Sequence, residues 1–108
     1  MHKVTLARNE ISPLLDRLIL QLEAEGRLTQ RAHFRRIQRR IEVAHNEWDL
    51  TPPIIDLSSA SAMGFKFSST AHALVARILD KTHALVARIL DKTQVLVDEL
   101  TGESLTRH

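Results

Sequence analysis

Residues His72–Thr82 read HALVARILDKT, and His83–Thr93 repeat those eleven residues without a change. Eleven residues are about three turns of α-helix, so such an insert rotates the chain beyond it by only about 20°. A helix absorbs it, lengthens by roughly 16 Å and keeps the same face toward its core. The duplication is therefore compatible with one long helix through this part of the chain, the alternative being that the second copy is looped out and the register beyond Thr93 kept.

The rest of the sequence agrees with helices. Three Gly, three Pro and four aromatics sit among long runs of Leu, Ala, Arg and Glu, a balance unlike that of a β-sandwich. At 108 residues, 44% hydrophobic and 26% charged, the chain fits one globular domain. It has no cysteine, which excludes disulfides and thiolate chemistry and fits a reducing compartment. No apolar run approaches membrane-spanning length and the start has no signal-like apolar core, so a soluble, cytoplasmic protein is expected.

Helix signals divide the chain in three. Asn9 or Ser12 can cap a first helix over about 10–25, with Pro13 in its first turn, Ile11, Leu15, Leu18 and Leu22 as its stripe, and Gly26 at its exit. Residues 1–7 alternate weakly and read as a short arm or a fraying turn. Thr29 opens a second helix to about Trp48, in which Phe34, Ile37, Ile41, Ala44 and Trp48 form an apolar seam. The short connection makes an antiparallel hairpin. Pro52 and Pro53 stop the second helix. Residues 50–69 then form an irregular but apolar connection packed across the hairpin, with one short helix at 57–63. Ser69 or Thr70 caps a third helix over about 70–101, ending at Gly102 before a frayed tail. The expected fold is all-α, a helical hairpin packed against a long third helix, in a single domain over 1–108.

That third helix outruns its partners. Leu74, Val75, Ile78 and Leu79 recur as Leu85, Val86, Ile89 and Leu90, and a stripe longer than the body that covers it marks a self-association or partner surface. A homodimer is the expected state, with another protein as the other occupant. Arg77–Asp80 and Arg88–Asp91 are surface pairs that solubilise the helix.

Charge supplies the second candidate surface. The net charge of +2 hides a segregation: Arg27, Arg31, Arg35, Arg36, Arg39 and Arg40 lie in a stretch with no carboxylate. Their spacing makes a ridge opposite the Phe34–Ile41 seam, suited to nucleic-acid phosphates or another anionic partner, with Gln30 and Gln38 able to reach backbone or base edges. A solvated face, partly neutralised by the acidic first helix, is the plainer alternative.

Other motifs carry less. Ala60 and Gly64 have a helix-turn-helix spacing, but Thr70 stands where an apolar anchor belongs. The six histidines contain no pair three or four apart, so no metal site is expected and they read as surface residues. There is no Gly-x-Ser-x-Gly elbow, P-loop or His-Glu-x-x-His, and Asp56 reads as a helix cap rather than a perturbed carboxylate. No cofactor is implied. The sequence points to a non-catalytic binding or adaptor protein that works by macromolecular association and self-association, with nucleic-acid binding through the arginine ridge as the alternative.

Overall fold

A computed structural model describes the backbone of residues 2–106 and the side chains of 3–60 and 63–90. Among the described residues every regular element is helical. Five α-helices follow in order: α1 His2–Leu6, α2 Ser12–Ala24, α3 Leu28–Val43, α4 Thr51–Ser58 and α5 Ser69–Thr106. A π-helical turn, Ala7–Ile11, joins α1 to α2, and short 3-10 turns, Glu47–Leu50 and Ala60–Met63, bracket α4.

The first helix starts earlier than expected. Pro13 lacks an N–H, and in a regular helix its ring would strike the carbonyl four residues back. The chain widens into the π-turn just ahead of it, where the Ser12 amide donates to the Ala7 carbonyl. The helix thus continues back to His2 and buries Val4, Ala7 and Ile11. Gly26 ends α2 with φ at 72°, a left-handed exit that glycine adopts at least cost.

α2 and α3 form the hairpin. Leu15, Leu18 and Leu22 face Phe34, Ile37 and Ile41, all essentially inaccessible to solvent. The second helix, however, stops at Val43, well before the prolines. Two devices end it, one long-range and one local. Arg8 reaches across from the π-turn and donates to the carbonyls of Glu42 and Ala44, filling the orphan acceptors of a helix terminus. The Asn46 side chain then accepts from the Asp49 amide at 3.1 Å and Asp49 accepts from the His45 amide at 2.9 Å, which starts a new turn instead. Pro52 and Pro53 lie in the first turn of α4, where a missing N–H costs nothing. The connection is therefore more ordered than expected, with its helix at Thr51–Ser58 rather than 57–63.

The connection packs across the hairpin through Leu50, Pro53, Leu57 and Ala60. Phe65 and Phe67 close on Phe34 and His33 in tilted and edge-on ring contacts with centroids 5.5–6.4 Å apart. Ser68, rather than Ser69 or Thr70, caps α5: its Oγ accepts from the Ala71 amide and donates to Glu25 at 2.6 Å. That same bond, with a second from Gln21, holds the Glu25 carboxyl below its ordinary range.

α5 lies antiparallel to α2, with Ser68 at its start bonded to Glu25 and, farther along, Lys81 meeting Glu10 of the π-turn at 3.3 Å. Its 38 residues run about 57 Å, and they stretch the molecule to 60 × 25 × 18 Å. The helix passes through Gly102 without stopping; residues 107 and 108 of the expected frayed tail lie outside the described ones.

Candidate functional site: an arginine face and an overhanging helix

The two repeat copies share one face of α5, as an eleven-residue period requires, but meet different surroundings. Leu74 and Leu85 are both buried, at 8% and 4% exposure. Val75 and Ile78 are buried, whereas their counterparts Val86 and Ile89 are half-buried. Leu79 is half-buried and Leu90 is 61% exposed. The second copy is leaving the core. Of the eight residues expected to form a self-association surface, Leu74, Val75, Ile78 and Leu85 therefore serve the chain's own interior and Leu79 and Ile89 pack half-buried against it, which leaves the half-buried Val86 and, above all, Leu90 as apolar surface open to a partner. The helical backbone continues to Thr106 beyond them.

The arginines occupy the opposite side of the molecule. α3 buries Gln30, Phe34, Ile37, Gln38 and Ile41, so Arg35, Arg39, Arg36 and Arg40 fan across its outer face. All four are exposed, and none has an ion-pair partner among the described residues. Arg27 is exposed at the α2–α3 turn and Arg31 is held to Glu23 at 3.3 Å. The acidic first helix thus neutralises one end of the ridge and leaves the rest uncompensated. Asp16, the next carboxylate along α2, is engaged by Gln38.

Gln30 and Gln38 are struts rather than readers of an outside partner. Gln38 is 8% exposed and donates to both Asp16 and the Ser12 carbonyl. Gln30 is 7% exposed and donates to the Lys66 carbonyl at 3.1 Å. Their numbers, 30, 34, 37, 38 and 41, follow the seam spacing, so the sequence carried the signal that they face inward.

Trp48 is the residue that sequence reasoning misplaced most. Once α3 ends at Val43, its register no longer reaches Trp48, and the indole is 84% exposed. It follows the C-terminal end of α3, with four residues between it and Val43, which is itself 62% exposed. The run Asn46–Asp49, with its capping side chains, was the available sign of a new start.

Among the described residues no three His, Cys, Asp or Glu side chains gather where they could hold a metal ion. His72 and His83 lie exposed on α5. Asp56 is within α4 instead of capping a helix, where its charge acts on His33. His33 is half-buried, its Nε2 lacks a hydrogen-bond partner, and burial lowers its pKa against the opposing pull of Asp56. A cleft of about 560 Å³ is an open furrow along Leu28, Ala32, His33, Arg36, Met63 and Phe65. Residues 59–68 separate α4 from α5 by a 3-10 turn and an extended stretch, so Ala60–Gly64 does not make the tight turn of a helix-turn-helix. No helix among the described residues is long and apolar enough to cross a membrane. No family model, curated protein or solved structure matches the chain.

Proposed function

We propose that the protein is a non-catalytic association module that pairs with a second copy of itself through the part of α5 that outruns the helical body. One observation carries this reading: the second repeat copy keeps the apolar face of the first while the core that covers it falls away, from half-buried Leu79 to 61%-exposed Leu90. Apolar surface left on a helix beyond its own body gains by burial in a partner, at roughly 25 cal/mol per Å². A shorter helix would have satisfied the core. Open clefts, together with a cysteine-free sequence, support a binding role over a catalytic one.

Sedimentation equilibrium tests it. The wild-type chain is expected to dimerise at micromolar concentration, and Leu90→Asp to be monomeric with unchanged helicity. A wild-type monomer at about 100 µM, where an association of biological strength would be populated, would overturn the reading. Leu90 is the informative position, because a charge at buried Leu85 would unfold the body as well.

A second reading is favoured by a separate observation, the four exposed arginines of α3 that have no ion-pair partner among the described residues: this face binds a nucleic-acid backbone. Each guanidinium can make a charge-assisted bond to phosphate, and such binding weakens linearly in log–log terms with salt. Dimerisation and nucleic-acid binding use different surfaces and are compatible.

A further inference from the structure

The helix that carries the arginines is followed by an exposed aromatic. Arg35 with Arg39, and Arg36 with Arg40, form two i,i+4 rows, each about 6 Å in rise along α3. At the end toward which these rows run, the chain leaves the helix, turns through Ala44–Asn46 and presents Trp48. An indole at 84% exposure has left almost all of its ring in water, which is unfavourable for so large an apolar surface unless something stacks on it. The turn is not loosely made, since Asn46 and Asp49 pin it by two backbone-directed bonds. The ring is therefore held out by structure.

We infer that this face binds single-stranded nucleic acid, the arginine rows taking the sugar-phosphate backbone and Trp48 stacking on an unpaired base; this rests on the second reading above. Cationic rows beside an exposed aromatic are the two parts of sequence-tolerant single-strand recognition. A duplex keeps its bases stacked on one another and offers the indole little. An anionic membrane fits less well, because the exposed carboxylate of Asp49, next to Trp48 in the chain, would be brought up against the headgroups.

Trp48 is the chain's single tryptophan, so its fluorescence reports the contact directly. The full-length protein is titrated with unlabelled twelve-nucleotide oligo-dT, with a twelve-base-pair duplex, and with phosphatidylserine–phosphatidylcholine vesicles, at about 50 and 200 mM salt. Fluorescein-labelled oligonucleotides followed by anisotropy give affinity independently of the indole. The expected result is saturable quenching by the single strand, weaker binding of the duplex, and a log–log salt slope near about −0.7 per phosphate contacted. Trp48→Ala weakens single-strand affinity by roughly 5- to 150-fold and Trp48→Phe by less, as loss and retention of one stacked base require. The site is exposed, so neither variant disturbs the core. Arg39→Gln with Arg40→Gln weakens binding and flattens the slope. Binding without quenching, equal for wild type and Trp48→Ala, overturns the single-strand assignment and leaves the polyanion reading standing. No oligonucleotide binding by anisotropy at the lower salt overturns both. A blue-shifted signal with vesicles and none with oligonucleotides makes the surface a lipid contact and overturns the proposal.

Discussion

Deleting His83–Thr93 should shorten α5 by about 16 Å while leaving the body nearly as stable as before. The deletion moves Gln94 to follow Thr82, so the buried Leu85 site receives Leu96, the Val86 site Val97, the Ile89 site Leu100 and the exposed Leu90 site Thr101. Two core-facing positions keep their residue type. The third becomes an isomeric exchange in a half-buried place, which costs under about 1.5 kcal/mol. Changes at the exposed positions add about 0.5 kcal/mol at most each. Removing one residue fewer, His83–Lys92, turns the following helix by about 100°. Glu99 then falls on the half-buried Ile89 site and Val95 on the Leu85 site. For a domain this size each kcal/mol shifts Tm by about 4–8 °C. Thermal unfolding followed by circular dichroism should place the eleven-residue deletion within about 10 °C of wild type and the ten-residue deletion clearly below it. Equal or reversed order would refute the claim that the repeat preserves a packed face. The eleven-residue deletion should also sediment as a monomer, since most of the overhang is gone; a surviving dimer would move the self-association surface elsewhere.

Two further substitutions probe the interior. Gln38→Ala leaves the Asp16 carboxylate and the Ser12 carbonyl without their shared donor and should cost about 1–3 kcal/mol, read as a lower urea midpoint with an unchanged m-value; a loss below about 0.3 kcal/mol would mean the bonds are replaced by water. His33 has its pKa lowered in the fold, chiefly by burial, so below its unfolded value of about 6.5 the unfolded chain takes up the proton more readily. The stability this contributes is present above that pH and lost as pH falls through the folded pKa. Replacing it, His33→Gln, should flatten the decline in stability between about pH 7.5 and 5, and an unchanged slope would show that the other histidines carry the effect.

How far the sequence foretold this depended on whether structure was set by periodicity or by single polar side chains. The seams of α2 and α3 and the shared face of the two repeats follow from spacing alone, and Phe34, Ile37, Ile41 and Ala44 all lie inside. Helix ends do not follow from spacing. Asn9, Ser12 and Pro13 resemble a helix start, and only the π-turn, whose wider loop tolerates the proline ring, lets the helix continue back to His2. At the close of α3, Trp48 fits the seam arithmetic perfectly well. A long-range contact removes it, Arg8 on the carbonyls of Glu42 and Ala44, which joins residues far apart in the chain and leaves no local signature.

The same contact links fold to the candidate surface. By occupying the last carbonyls of α3, Arg8 ends the helix before Trp48 can turn inward, and the Asn46 cap then fixes the indole outside. An arginine that closes a helix is thus also a determinant of the exposed aromatic that follows α3. The gain and the cost fall on different levels. Burying the ring in a longer helix would return up to about 3 kcal/mol to stability, yet the chain gives that up at a turn held by three side chains, those of Arg8, Asn46 and Asp49. Stability alone selects against such an arrangement. On the proposed reading, a partner that stacks on Trp48 would restore the missing burial when bound.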